Sequence, residues 1–270
     1  MPTAHAAAPK PSNAGELLRH WRTARHLSQL DLALDTGVSA RHLSYMETGK
    51  SQPSREMVLR LADALEIPLR ERNSLLVAAG YAPRYYESDL AGPEMAQQRS
   101  AIELILKHQE PYPAIVMDRH WNVRMGNGAA PKFVRFLLGY DPTENNVIRL
   151  SLHPEGLRKV TVNWEETAWD LVRHLHSQIA ALPSDQVSKD LLEEVLAYPG
   201  VPSEWRNREI GVPVTPLLTT VFQKDGIELR LFSTITTFAT PHDVTLDELR
   251  IECSFPADPS SAEVCRRLFR

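Results

Sequence analysis

Apolar residues recur every three or four positions through residues 14–82 in five short stretches, which is the spacing of helices that bury one face. Ser39 stands where a helix N-cap is expected, because its hydroxyl can accept a hydrogen bond from a free amide of the first turn. Gly37 and Gly49 follow two of the stretches, as glycines do at helix C-termini. The pattern predicts an all-α bundle of five helices, the first from Gly15 to His26.

The spacing changes beyond this bundle. Residues 83–110 combine polar loop sequence with one helical stretch, which predicts a connector that contains a helix. From 111 to 258, short runs rich in β-branched and aromatic residues flank longer helical stretches. This region is therefore predicted to be an α+β domain with a five-stranded antiparallel sheet. Residues 259–270 are predicted to form a C-terminal helix, and the Pro-, Ala- and Ser-rich residues 1–13 a disordered tail.

The predicted strands are unevenly placed along the second domain. The first two, Pro113–Asp118 and Trp121–Gly126, are joined by a predicted turn of two residues. Three more come late, and Lys224–Gly226 has the composition of the hairpin turn between the first two of these. The last β-rich stretch is predicted to run from Leu246 to Ala257.

The composition indicates a chain that can bury two cores. Of 270 residues, 43% are hydrophobic and 24% charged, as in ordinary soluble domains, and no apolar run is long enough to span a membrane. The N-terminal residues lack the pattern of a signal peptide. Cys253 and Cys265 alone provide no disulfide framework, so a cytoplasmic location is expected. A net charge of −4 neither supports nor excludes nucleic acid, which requires only a basic face.

The search for catalytic residues finds none. The chain contains neither a Gly-x-Ser-x-Gly nor a His-Glu-x-x-His motif. His174 and His176 are two residues apart on a predicted helix, so they point away from each other and make a poor metal pair. The stretch Gly126–Pro131 lacks the third glycine of a dinucleotide-binding turn, and Cys253 is interpreted as a core residue. No enzyme activity, metal or cofactor is predicted.

Several short motifs in the helical region point to a known family. They are Leu27–Gln29 ("LSQ"), Thr36–Ser39 ("TGVS"), Met46–Ser54 ("METGKSQPS") and Leu61–Pro68 ("LADALEIP"). With them, the region resembles the phage-repressor/Cro-like helix-turn-helix family of bacterial regulators, also called the xenobiotic-response-element family. The resemblance implies a lambda-repressor-like bundle whose third helix enters the major groove of operator DNA.

The resemblance also assigns roles by position. It implies a buried ion pair between Arg22 and Glu47, which is structural. It implies a homodimer on a palindrome-like operator, with each subunit contacting a half-site. The alternative is a helical bundle whose polar face is simply solvated. The residues implied to contact DNA are Gln29, Ser39, Ala40, Arg41, Ser44, Tyr45, Lys50, Gln52 and Arg55.

The second domain carries a separate resemblance. Residues 113–133 and 228–264 resemble the two ends of the C-terminal domain of MmyB-like transcription regulators, which has a PAS-like fold. The resemblance implies a sensor for a small hydrophobic ligand, such as a fatty acid. Gly126–Gly128 departs from the family's aromatic-Asn pattern at one edge of the implied pocket.

Eight apolar residues are predicted to line this pocket, although ordinary core packing would explain each of them singly. A second hypothesis is a ligand-free platform for dimerisation, or for recruiting a partner such as RNA polymerase or a sigma factor. The predicted lining residues are Phe133, Phe136, Trp164, Trp169, Phe222, Leu231, Ile235 and Phe238.

Overall fold

A computed structural model describes residues 13–207 and 217–270 of the chain. The contacts divide the chain into two compact units. The helical unit runs to Glu87 and also includes the segment Thr240–Asp247. The sheet unit consists of Ser88–Ala239 and Glu248–Arg270. The predicted connector is thus divided between the two units.

The helical unit contains five helices in the order predicted from the sequence. The first ends two residues earlier than predicted, because His26 takes a left-handed conformation with φ of 56°. The third helix ends before Gly49, whose φ of 73° lies in the left-handed region. The helices are α1 (Ala14–Ala24), α2 (Gln29–Thr36), α3 (Ala40–Glu47), α4 (Arg55–Ala64) and α5 (Leu69–Ala78).

Side-chain caps explain where four of these helices begin. Asn13 and Glu16 form a capping box at α1, and Ser28 and Asp31 form another at α2. Serine hydroxyls also cap α3 and α4. Helix α5 differs, because Pro68 precedes it and has no side chain that could accept a hydrogen bond.

The N-terminus of α5 receives its cap from a distant part of the chain. Asp247 accepts a hydrogen bond from the backbone N–H of Leu69 at 3.0 Å through its Oδ2 atom. In the same unit, the N–H of Val244 donates to the carbonyl oxygen of Tyr86 at 2.8 Å. These contacts attach the segment Thr240–Asp247, which follows β4 in the chain, to the helical unit.

The sheet unit contains a five-stranded antiparallel sheet and helices, as predicted. The strand order is β2-β1-β5-β4-β3, so the last strand of the sequence lies at the centre. The strands are β1 (Ala114–Met117), β2 (Val123–Gly126), β3 (Thr219–Lys224), β4 (Ile227–Thr236) and β5 (Arg250–Pro256). Its helices are α6 (Ala96–His108), α7 (Ala129–Leu138), α8 (Val147–Leu152), α9 (Trp164–Ala181), α10 (Gln186–Leu196) and α12 (Pro259–Leu268). Helix α11 (Val244–Glu248) lies, except for its last residue, in the segment Thr240–Asp247 of the helical unit.

Three local predictions can be compared with these bounds. The β3–β4 hairpin turn is confirmed, since Asp225 and Gly226 have φ angles of 50° and 78°, as a type I′ turn requires. The two-residue turn between β1 and β2 is wrong, because five residues separate these strands. The β-rich stretch beginning at Leu246 is also wrong at its start, which lies in α11. There Asp243 caps the first turn by accepting from the N–H of Thr245 at 2.8 Å.

Two apolar clusters hold the sheet unit together. One is built from α8, α9 and α10 around Trp121, Trp164, Trp169 and Trp205. The other lies among α7, α12 and strands β3 and β4, with Phe269 fully buried in it. In the described part of the chain, no helix is both long enough and apolar enough to cross a bilayer.

Candidate nucleic-acid interface and ligand cavity

Helix α3 presents a polar face because its apolar residues point inward. The Ser39 hydroxyl accepts a hydrogen bond from the N–H of His42 at 3.1 Å and thereby starts the helix. Leu43 and Met46 are buried in the core of the helical unit. The opposite side of the helix faces outward, with Arg41 and Tyr45 exposed and Ala40 and Ser44 partly buried.

The inner end of α3 is anchored by Glu47, whose side chain is only 1% exposed. Its carboxylate accepts hydrogen bonds from Arg22 Nε at 2.6 Å and Arg22 Nη2 at 2.9 Å. Gln29 Nε2 donates to the same carboxylate at 2.7 Å. Burial disfavours the charged form of Glu47, but the hydrogen bonds from Arg22 and Gln29 outweigh it and hold the pKa below its usual range.

Gln29 therefore braces α3 through its side-chain amide. Helices α1, α2 and α3 all contribute to this buried polar group, which fixes the angle at which α3 leaves the bundle. The contact with DNA that the resemblance implies for Gln29 stays a prediction.

Two cationic side chains, Arg41 and Lys50, lie near the ring of Tyr45 at the outer surface of α3. Arg41 Nε donates to the Tyr45 hydroxyl at 3.1 Å, and the guanidinium carbon lies 5.4 Å from the ring centre. Lys50 Nζ lies 5.7 Å from the same ring centre. Cations over an aromatic face are attracted by its quadrupole. Within the described residues, the terminal nitrogens of Arg41 make no hydrogen bond, so they are free to meet a base or phosphate.

Gln52 and Arg55 follow α3 and differ in how free they are. Gln52 Nε2 donates to the carbonyl oxygen of Ala79 at 2.8 Å, so its amide ties the loop before α4 to the C-terminus of α5. Arg55 is the first residue of α4 and is exposed. Of the two, Arg55 has the geometry for a phosphate contact.

The sheet unit contains a cavity of about 490 Å³ between one face of the sheet and helices α7, α8 and α9. Pockets of this size hold small organic molecules. Five of the eight residues predicted to line a pocket lie in its wall, namely Phe133, Trp164, Phe222, Leu231 and Ile235.

The other three predicted lining residues lie elsewhere. Phe136 packs against Phe269, with ring centres 6.1 Å apart, in the cluster around α12. Trp169 packs against Trp205 at 5.7 Å in the cluster around α9. Phe238 follows the end of β4. Size and aromatic character could not distinguish Phe136 and Trp169, which pack in these clusters, from residues of the cavity wall.

Three ionisable residues of the cavity wall were not predicted from the sequence, namely Asp170, His174 and Glu252. In β5, Ile251 and Cys253 are buried on one face of the sheet, whereas Glu252 and Ser254 face the cavity. The alternation in "RIECSF" was visible, but polar positions of a strand normally face water. This polar face of β5 points inward because α7, α8 and α9 lie opposite it across the cavity.

Two of these groups, Asp170 and His174, pair with each other. His174 Nδ1 lies 3.3 Å from Asp170 Oδ2, and Arg173 also pairs with Asp170. The hydrogen bond with His174 lowers the pKa of Asp170 in spite of burial, and the hydrogen bond with Asp170 raises the pKa of His174. Burial raises the pKa of Glu252, and a hydrogen bond from Ser233 offsets part of this.

The exposed face of α3 and the cavity of the sheet unit together point to a class of protein. The chain combines a helix-turn-helix domain with a second domain that contains a cavity. Residues 18–72 match the helix-turn-helix family, and residues 98–268 match the family described as "MmyB-like transcription regulator ligand binding domain". Because the second match covers more than half of the chain, the chain belongs to the MmyB-like transcription regulators, as its sequence predicted.

The chain is also similar to individual proteins. It is 40% identical over 118 residues to uncharacterized HTH-type transcriptional regulators of Mycobacterium bovis and Mycobacterium tuberculosis. The match covers 44% of this chain and 42% of each relative's length. A solved RNA-binding Light-Oxygen-Voltage receptor aligns with 97% of this chain and 63% of its own, at 13% identity and a TM-score of 0.29. At that score the similarity bears neither on the fold nor on the function.

Proposed function

We propose that the protein binds an operator as a homodimer in the cytoplasm and regulates transcription in response to a small hydrophobic ligand, without enzyme activity. Helix α3 lies in the major groove, where the Arg41 guanidinium suits guanine O6 and N7. Ser44 and Tyr45 contact bases or sugars, while Lys50 and Arg55 contact phosphates. A single helix gives a short contact, so two subunits on adjacent half-sites are required.

The observation that carries the DNA-binding role is the exposed Arg41–Tyr45–Lys50 group on a helix whose orientation is fixed by Glu47. A helix that is held rigidly loses little entropy when its side chains contact the groove. The net negative charge of the chain is no obstacle, because DNA binding requires only a local basic face, and Arg41 and Lys50 both lie beside Tyr45 on the outer side of α3.

Selection of duplexes from a random library with the full-length protein tests this role. We expect selected duplexes with two-fold symmetry, half-sites one helical turn apart, and two chains bound per duplex. Duplexes without symmetry, or one chain per duplex, would contradict the dimer.

The cavity supports the ligand-sensing role. A PAS-like sheet partly covered by helices leaves a concave, largely apolar space with a few polar groups, which is typical of ligand sites. For regulation, the ligand must bind the DNA-competent and incompetent states with different affinities. We propose that β4 transmits the change, since Ile235 lines the cavity and the chain continues from β4 into the segment Thr240–Asp247 of the helical unit.

A matched pair of substitutions tests the sensor. Ile235→Trp fills the cavity from β4, whereas Thr234→Trp places the same side chain on the opposite face of that strand. We expect native mass spectrometry and thermal shifts to show ligand binding by the wild type and the Thr234 variant but not by the Ile235 variant. If a panel of hydrophobic metabolites binds none of the three proteins, the ligand-free platform is the better hypothesis.

A further inference from the structure

The cavity wall is acidic. Among the described residues that line it, the ionisable side chains are Asp170, His174 and Glu252, and neither lysine nor arginine is present. Asp170 is already paired with His174 and Arg173. The other carboxyl group, that of Glu252, has no cationic partner among the described residues of the wall.

Glu252 occupies the middle of the sheet. Its Cα partners are Ile115 on β1 and Ile235 on β4, and all three residues line the cavity. Apolar side chains thus flank the carboxyl group on both sides. The adjacent polar groups are the hydroxyls of Ser233 and Ser254, whose oxygens are 3.4 Å apart. Hydroxyls can donate to a carboxylate but do not neutralise its charge.

The nearest arginine along the strand is engaged elsewhere. Arg250 precedes Glu252 by two residues, so both lie on the same face of β5. The guanidinium carbon of Arg250 lies 5.5 Å from the ring centre of Trp121, and this side chain is not part of the cavity wall. The structure shows no ion pair between Arg250 and Glu252 within the described residues.

We propose that the natural ligand is an apolar molecule with a basic nitrogen, an alkyl- or arylamine, whose ammonium group pairs with Glu252. The proposal rests on the proposed function, in that the cavity must bind a ligand at all. The apolar walls hold the hydrocarbon part, and Ser233 and Ser254 complete the hydrogen bonds of the ion pair. An isolated charge is costly in such a site, whereas a paired and hydrogen-bonded one is tolerated.

A fatty acid fits this wall less well. Its carboxylate would enter a space of low dielectric constant that already holds two carboxyl groups and that offers, among the described wall residues, only the paired His174 as a cation. Like charges repel more strongly there than in water. A neutral alcohol would bury the same hydrocarbon but would leave Glu252 without a counter-ion.

Isothermal titration of the full-length protein with octylamine, octanol and octanoic acid tests the proposal, because the three probes share one chain length. We expect octylamine to bind about tenfold or more tightly than octanol, and octanoic acid to bind most weakly. Glu252→Gln keeps the shape of the side chain and should remove the preference for the amine, so that octylamine and octanol bind about equally. Glu228→Gln, on the exposed part of β4 away from the wall, should behave as the wild type.

The outcomes separate this proposal from the one on which it rests. If octanoic acid or octanol binds as tightly as octylamine, the amine proposal is overturned and the ligand cavity stands. If octylamine is preferred equally by the wild type and the Glu252→Gln variant, the assigned residue is wrong and the proposal fails. If none of the three probes binds, the sensor role fails together with it.

Discussion

Each unit of this protein contains a glutamate withdrawn from bulk water, and the two are treated in opposite ways. Glu47 in the helical unit receives three hydrogen bonds from Arg22 and Gln29. Glu252 in the sheet unit faces the cavity and, among the described residues, has the hydroxyls of Ser233 and Ser254 as its polar neighbours but no cationic partner. A buried charge with partners contributes to one defined structure, whereas one without them is a cost that a ligand can relieve. The comparison separates a structural carboxylate from a candidate binding carboxylate.

The polar faces of α3 and β5 differ in what they face, which is solvent for α3 and the cavity for β5. The polar residues of α3 face solvent because the helix packs through Leu43 and Met46 on the surface of a small bundle. Those of β5 face inward because this strand lies at the centre of the sheet, under α9. A surface of this kind suits a large polyanion such as DNA, and an enclosed one suits a small molecule.

The largest expected effect on stability comes from substituting Glu47, the glutamate that has hydrogen-bond partners. Glu47→Ala should destabilise the helical unit by about 3–5 kcal/mol, because Arg22 is then left as an unpaired, largely buried charge. Hydrogen exchange of the α1–α3 amides would measure the loss, with the sheet unit as an internal reference. Glu56→Ala, an exposed glutamate of α4, is the control and should cost about 0.5 kcal/mol. A loss at Glu47 no larger than the control's would remove the contrast between the two carboxylates.

The next effect concerns the outer face of α3. Arg41→Ala should lose about 1–3 kcal/mol of discrimination between a selected operator and a scrambled duplex, because a base contact is removed. Arg55→Ala should instead weaken binding to both duplexes alike and reduce the salt slope by about one, as expected for a phosphate contact. Fluorescence anisotropy at several salt concentrations distinguishes the two. Equal behaviour of both variants would show that α3 contributes charge and no sequence information.

A smaller effect is expected where the segment Thr240–Asp247 meets α5. Asp247→Ala should cost about 1 kcal/mol, because the N–H of Leu69 loses its acceptor and Pro68 offers no substitute. Asp247→Asn keeps an acceptor oxygen and should retain most of this stability. Hydrogen exchange in the first turn of α5 reports the difference. Equal protection in the two variants would indicate that water replaces the carboxylate without cost.

The smallest effect should come from the cavity glutamate. Glu252→Gln should leave the stability of the sheet unit at neutral pH within about 0.5 kcal/mol of the wild type or raise it, because an unpaired carboxyl group is replaced by a neutral one. Calorimetry of the ligand-free protein measures this. A clear loss of stability would mean that Glu252 has a structural partner after all.

The same two glutamates should respond to pH with opposite signs. The pKa of Glu47 is lowered by folding, so its contribution to stability is present above the unfolded pKa and is lost as the pH falls through the folded pKa. The pKa of Glu252 is raised by burial, so the sheet unit is favoured below the unfolded pKa and loses that advantage as the pH rises through the folded pKa. Acidification from neutral pH should therefore weaken protection in α3 before it weakens protection in β5. The Glu47→Gln and Glu252→Gln variants should each remove one of the two trends.

The sequence by itself determined most of the helical unit. Its helix starts, the inward positions of Leu43 and Met46, and the outward positions of Arg41 and Tyr45 all follow from spacing and caps over a few residues. These are local properties, because a helix sets its own faces through bonds four residues apart. The sequence also predicted the strands of the sheet unit and its family.

Tertiary structure alone decided which residues surround the cavity and which of its carboxyl groups has no cationic partner among the described residues. Ile115, Glu252 and Ile235 are far apart in the chain, and only strand pairing brings them side by side. The cap of α5 by Asp247 likewise joins positions 178 residues apart. A strand's alternation gives two faces but not the environment of either one. The order of the strands assigns that environment, and it depends on contacts that no short stretch of sequence encodes.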